Sequence, residues 1–158
     1  MAEQWLPDEI AVKWPDPTAV YRYYAEDGAL LYVGIANNPR LRNQAHAKRD
    51  WFYYSKYWLV EWFPTRALAE WSENRAINRE SPEFNGKSYP DYDFVRVIDQ
   101  WFLADRGDSY RGDFQQWHEW PDGATSWSGN VFRKCPAPDL HGLQIRRETA
   151  RNQQHDVI

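Results

Sequence analysis

Ala19-Val20-Tyr21-Arg22-Tyr23-Tyr24-Ala25-Glu26-Asp27-Gly28-Ala29-Leu30-Leu31-Tyr32-Val33-Gly34-Ile35 decides the fold. Val20, Tyr21, Tyr23 and Tyr24 are strand formers, and Leu30 to Ile35 reads as a second strand. Asp27-Gly28 between them is a strong hairpin turn signal. A two-residue turn sets Glu26 against Ala29, which places Tyr23 opposite Tyr32 and Tyr21 opposite Gly34. Residues two apart share a face. Tyr21, Tyr23, Tyr32 and Gly34 are therefore expected on one face of the hairpin, with Gly34 leaving room beside Tyr21. A slip of one residue would destroy this arrangement.

Outward from the hairpin, Asn38 is a good N-cap and Pro39 suits the first position of a helix. Arg42 and His46 then stand i and i+4 on one helical face, with Arg40, Lys48 and Arg49 adding positive charge. Tyr57 to Phe63 reads as a third strand. Thr65 can cap a second helix over 66–80. Its apolar positions include Leu68, Ala69, Trp71, Ala76 and Ile77. Glu73 is four residues from both Ala69 and Ile77, so it sits on or beside the apolar stripe. A carboxylate aimed at a core is costly unless paired or bound to a metal. Ser81-Pro82 ends this helix.

Residues 86–90 read as a linker, and 91–105 as an amphipathic helix with Phe94, Val97, Ile98 and Trp101 at helical spacing and Gly107 beyond its end. Trp117, Trp120 and Trp127 surround a turn at Pro121-Asp122-Gly123. From about Ile145 the chain is polar, a loose helix or frayed tail. The first 17 residues, with Pro7, Pro15 and Pro17, read as an irregular lead-in packing Trp5 and Trp14 onto the domain. The expected division is a lead-in (1–17), a main α+β domain (18–88) and an aromatic-rich C-terminal extension (89–158). The fold class is α+β: a small three-stranded antiparallel sheet flanked by helices.

Composition narrows the function. A net charge of −4 over 158 residues argues against a strongly charge-driven nucleic-acid binder, without excluding local basic patches. The 17% aromatic content, with ten Trp, is assigned mostly to the core. A lone Cys135 allows no intrachain disulfide, and a cytoplasmic setting is expected. No apolar run approaches a membrane span. His118 and His141, with Asp113, Glu119 and Asp139, lack metal-site spacing, so zinc is not expected. No Gly-rich phosphate loop is present.

Six polar residues fall at spacings that core packing does not require: Tyr21, Tyr32, Arg42, His46, Glu73 and Asn85. Around them, residues 19–85 resemble a GIY-YIG nuclease domain. Ala19-Val20-Tyr21 stands for the first motif and Tyr32-Val33-Gly34 for the second. Arg42 falls at the position of the family's arginine, and His46 follows it as in the homing-endonuclease branch. Glu73, with Ile77, Pro82 and Asn85, matches the glutamate helix and its closing Pro-x-x-Asn. The first motif has Ala19 and Val20 in place of Gly and Ile. Ile35 stands where one branch of the family carries a lysine.

The resemblance implies metal-dependent hydrolysis of a DNA phosphodiester. Under it, Glu73 is a ligand for Mg²⁺, with Mn²⁺ as the alternative ion. Arg42 holds phosphate oxygens with its fixed fork of donors. Tyr21 is the first choice for the base and Tyr32 for its hydrogen-bonding partner, with the reverse left open. His46 can accept or relay a proton, and Asn85 could fix a water or the Glu73 carboxylate. Arg40, Lys48, Arg49, Arg75 and Arg79 are the candidate nucleic-acid contacts. The competing functions are a catalytically weak nucleic-acid-binding module on the same scaffold, and an extension that serves as a protein-partner surface.

Overall fold

In a computed structural model of the protein, the described residues are 13–85, 93–107, 109–120 and 133–156. Strands β1 (Thr18–Ala25), β2 (Leu30–Ala36) and β3 (Ser55–Phe63) are followed by β4 (Phe114–Glu119) and β5 (Arg133–Lys134). The helices are α1 (Pro39–His46), α2 (Arg66–Glu80), α3 (Asp93–Arg106) and α4 (Leu140–Asp156). The sheet order is β2-β1-β3-β4-β5, and every neighbouring pair is antiparallel.

The hairpin has the expected central register: Tyr21 pairs with Gly34 and Tyr23 with Tyr32. The turn differs. Ala25 N donates to Ala29 O, and Gly28 adopts φ 84°, so three residues, Glu26 to Gly28, form the loop. A three-residue loop with glycine in the left-handed region is the next most common hairpin closure. It alone would have flipped the strand faces. A bulge between Tyr23 and Tyr24, where Tyr24 pairs with Leu30 and Tyr23 with Tyr32, absorbs the extra residue.

The sheet has five strands, not three. Unpaired, the outer edge of β3 would expose a row of donors and acceptors. Residues 114–119 of the C-terminal extension cover it, pairing Trp62 with Phe114 through Tyr57 with Glu119. The extension is thus continuous with the sheet. On the other side, the β2 edge is closed by the chain leaving α2. Glu83 N and Phe84 N donate to the carbonyls of Leu30 and Leu31 at 3.2 and 2.9 Å.

Both faces are buried. One carries Ala19, Tyr21, Tyr23, Trp58, Val60 and Trp62, covered by Trp51, Phe52 and Trp120, with Trp14 packed alongside. Trp5 lies outside the described residues, as do the 86–90 linker, the Pro121–Gly123 turn and Trp127. The other face carries Val20, Val33 and Phe63 under Leu68, Ala69, Trp71, Ala76 and Ile77 of α2 and Phe102 of α3. Ile35 packs at the margin of this second cluster.

The second face also holds a charge network. Arg22 and Glu61 are fully buried and form an ion pair. Arg22 Nε and Nη2 donate to Glu80 at 3.1 and 2.9 Å. Glu61 Oε2 accepts from Arg111 Nε (3.0 Å), Gly112 N (2.8 Å) and Gln115 Nε2 (3.1 Å). Tyr110 Oη donates to Glu80 at 2.9 Å. These bonds tie the segment leading into β4 to the sheet and to the end of α2. Buried charges persist only when satisfied in this way.

Among the described residues, no helix is long and apolar enough to cross a membrane.

Candidate active site

Sequence signals set each element. Asn38 caps α1, its side chain accepting from Leu41 N at 3.2 Å, and Pro39 opens the helix. His46 closes this eight-residue helix and points onto the first face of the sheet, where it is buried. Thr65 caps α2 by accepting from Leu68 N at 3.2 Å. Ser81, with φ 49°, ends α2 before Pro82.

The sheet presents Tyr21 to His46: the phenol oxygen lies 2.7 Å from His46 Nε2. Tyr32 flanks both, with ring centroids 6.4 Å from Tyr21 and 4.8 Å from His46. Tyr32 flanks the Tyr21 hydroxyl, while His46 and Arg42 are its hydrogen-bond partners. Gly34 is required by this packing. A Cβ added there would overlap Oη and Cζ of Tyr21 and lie 2.7 Å from Cε2. Tyr23, on the same face, donates to Asn43 Oδ1 at 2.7 Å and holds α1 against the sheet.

Electrostatics distinguish the groups. Burial pushes the Tyr21 phenol well above its ordinary value, and the charges of Tyr32 and Glu73 add to the rise. A hydrogen bond and positive charge from Arg42 oppose it. Tyr32 is raised by burial and then by Glu73, against Arg42 and Arg49. His46 is lowered to about 4, first by burial and then by Arg42 and Arg49. At neutral pH the resting pair is thus a neutral phenol and a neutral imidazole. With the imidazole proton on Nδ1, the phenol O–H donates to Nε2; with it on Nε2, the ring donates to the phenol oxygen.

Tyr21, Tyr32, Arg42 and His46 thus form one cluster, and the field of Glu73 reaches it. Glu73 itself is buried on α2. Asn85 has a different use. Its Oδ1 accepts from Val33 N at 2.8 Å and its Nδ2 donates to Val33 O at 2.6 Å. This clamps the β2 edge at the residue between Tyr32 and Gly34, which makes Asn85 a positioning group.

Arg75 and Arg79 lie two and six residues beyond Glu73, on other faces of α2. Their guanidiniums sit over the rings of Trp71 and Tyr110, at 5.5 and 5.8 Å. Ile35 faces the apolar α2 cluster, so its position contributes packing, not proton chemistry.

Trp51 was not singled out from sequence. It stacks on Tyr32 at 4.9 Å with 9° between planes and touches His46 at 5.3 Å. The available signal was the aromatic run 51–54 placed directly between His46 and β3.

Among the described residues, no group of three or more His, Cys, Asp or Glu could hold a metal ion. The site offers one buried carboxylate, Glu73. That does not fit a preformed protein cage. It does fit a Mg²⁺ that keeps most of its waters and takes further oxygens from a phosphate.

No solved structure matches the chain. The family model described as the GIY-YIG catalytic domain matches residues 17–87, the segment that spans β1 to the β2-edge clamp and contains every member of the cluster. Residues 17–87, a little under half of the chain, thus match the GIY-YIG catalytic domain, a family of nucleases.

Proposed function

We infer that the protein is a divalent-metal-dependent endonuclease that hydrolyses a phosphodiester bond in DNA. The observation that carries this reading is the buried Tyr21–His46 hydrogen bond of 2.7 Å, set beside Arg42 and within the field of Glu73. Phosphodiester hydrolysis needs an activated water, neutralised phosphate charge and a stabilised leaving oxygen.

Each chain group has one of these tasks. Arg42 binds phosphate oxygens by its forked donors. Tyr21 takes a proton from the attacking water. His46 holds the Tyr21 hydroxyl in orientation and receives its proton. Tyr32 and Trp51 wall the pair from solvent, which strengthens every charge interaction inside. Glu73 would hold Mg²⁺ or Mn²⁺; bound there, the ion would neutralise phosphate charge and acidify a water.

The test is cleavage of supercoiled plasmid and of labelled strands, with Mg²⁺ or with EDTA. Glu73→Ala should lower the rate by roughly a thousandfold, the scale of losing several kcal/mol of charge stabilisation. Tyr21→Phe should cost on the order of 10²–10⁴. Equal cutting by wild type and Glu73→Ala would sink the assignment. Retarded but uncut DNA would make the protein a binding module.

A further inference from the structure

Directly after His46, the chain runs Ala47-Lys48-Arg49 into a five-residue 3₁₀ turn, Asp50–Tyr54. The turn divides its four rings. Trp51 and Phe52 point inward: Trp51 stacks on Tyr32, and Phe52 is fully buried against Tyr23 and Trp120, with centroids 5.6 and 5.5 Å away. Tyr53 and Tyr54 point outward and are 71% and 63% exposed. These two rings meet edge to face at 5.5 Å and 89°.

The turn is also anchored by its backbone. Phe52 N donates to Arg49 O at 3.2 Å, and Ser55 Oγ donates to Phe52 O at 2.7 Å. Two inward rings and these bonds hold the outward rings on a rigid base. Little conformational freedom remains to be lost when something packs on them.

A lone exposed tyrosine needs no explanation. An adjacent pair on a rigid turn beside a phosphate-cleaving cluster is different, because of the charge around it. Lys48 and Arg49 are exposed and immediately precede the turn. Arg49 acts electrostatically on both His46 and Tyr32. Arg40 lies on the same helix as Arg42. Asp50 is the single acid between Ala47 and Tyr54. Cations flanking flat, exposed rings are the arrangement that tracks a strand's backbone while its bases stack.

We propose that Tyr53 and Tyr54 form a stacking platform for an unpaired DNA base next to the scissile phosphate, with Lys48 and Arg49 on the adjoining phosphates. The preferred substrate is then DNA with a single-stranded or unpaired stretch at the cut, not a fully paired duplex. In a duplex the base faces are already stacked on each other and cannot reach a side ring without unpairing. The proposal rests on the nuclease reading for the location of the cut and on the exposed rings for the preference.

The experiment measures fluorescence anisotropy in EDTA, at fixed salt, with three fluorescein-labelled DNAs: a single strand, a duplex with a short mismatched bubble, and a fully paired duplex. Cleavage of the same DNAs with Mg²⁺ is followed in parallel. Wild type should bind the single strand and the bubble more tightly than the duplex. The Tyr53→Ala, Tyr54→Ala double variant should bind both about fivefold to a hundredfold more weakly, the range expected for losing one stacked base. Its duplex binding should change by less than about twofold. The double Phe variant, which keeps both rings, should bind as wild type does.

Wild-type-like binding of the single strand by the double Ala variant overturns the proposal. So does an equal loss on all three DNAs, or the absence of any preference for unpaired DNA. Cleavage that proceeds while binding ignores the tyrosines refutes the platform and leaves the nuclease reading standing. Tyrosine-dependent binding without cleavage supports the platform and refutes the nuclease.

Discussion

Replacing Gly34 by alanine tests whether the Tyr21–His46 geometry is imposed by the opposing strand. The new Cβ would overlap Oη and Cζ of Tyr21 and sit 2.7 Å from Cε2. Ordinary carbon contacts lie at about 3.5–4.0 Å, so the ring must retreat by roughly 1 Å. It has no room to do so. Tyr23 packs edge-on at 5.7 Å, His46 at 5.5 Å, and Tyr32 stacks behind at 6.4 Å. Gly34 itself is held by the β1 pairing and by the Asn85 clamp on its neighbour Val33. Overpacking of this kind costs about 1–3 kcal/mol, and breaking the buried phenol hydrogen bond adds about 1–2 kcal/mol. In a chain of this length that lowers the melting temperature by roughly 4–20 °C. A catalytic group displaced by about 1 Å can lose 10² in rate. The assay pairs thermal melting with single-turnover cleavage, well below the variant's melting range. The decisive control is Tyr21→Phe with Gly34→Ala. Once the hydroxyl is gone, the glycine change should have little further effect on rate, while its overlap with the ring should still reduce stability. Gly34→Ala with wild-type cleavage and an unchanged melting temperature would refute the reasoning.

Two further outcomes follow from the buried charged and titratable groups. His46 and His118 are both held near 4, chiefly by burial, against about 6.5 in the unfolded chain. Between those values the unfolded state binds more protons, so stability is fully present above about pH 6.5 and is lost as pH falls toward 4. Melting curves across this window should be less acid-sensitive in a His46→Gln, His118→Gln variant, and parallel curves would contradict the linkage. Arg22→Met leaves Glu61 with Arg111, Gly112 and Gln115 but removes its buried counter-ion. Urea denaturation should show a loss of about 3–5 kcal/mol, and a loss under about 1 kcal/mol would mean that the network is not carrying the attachment of residues 110–115.

Local signals made the first half of the fold legible. Asn38-Pro39 and Thr65 mark helix starts by hydrogen bonds that involve only nearby residues, and strand alternation placed Tyr21 opposite Gly34. The turn was misread because Asp27-Gly28 suits a two-residue loop and a three-residue loop alike, and the compensating bulge has no local sequence mark. β4 was missed for a different reason. Its inward residues are Gln116 and His118, so the apolar alternation that announces a strand is absent. Gln116 is acceptable there because its Oε1 accepts from Trp62 Nε1 at 3.2 Å, a partner 54 residues away. The same limit explains Trp51 and Asn85. What they do depends on Tyr32 and Val33, and contacts across the fold leave no period to read.

The remaining step concerns the destination of the proton in the proposed reaction. Burial raises Tyr21 and lowers His46, so a phenolate and imidazolium pair is opposed from both sides in the resting site. Arg42 does not resolve this. Its charge favours phenolate on Tyr21 but disfavours imidazolium on His46. An arriving phosphate has the opposite pair of effects: its negative charge favours imidazolium and opposes phenolate. A free phenolate is therefore disfavoured once substrate is bound, while protonation of His46 becomes easier at that moment. The sequence consistent with both signs is a relay without a phenolate, in which Tyr21 accepts the water proton as its own passes to Nε2 over the existing 2.7 Å bond. In this relay the hydroxyl is essential although its acidity is poor. Tyr21→Phe, which keeps the ring packing and removes only the oxygen, should then show the loss of about 10²–10⁴ at every pH, because deprotonating His46 supplies no substitute for the missing link; a loss that shrinks as pH rises would refute the relay.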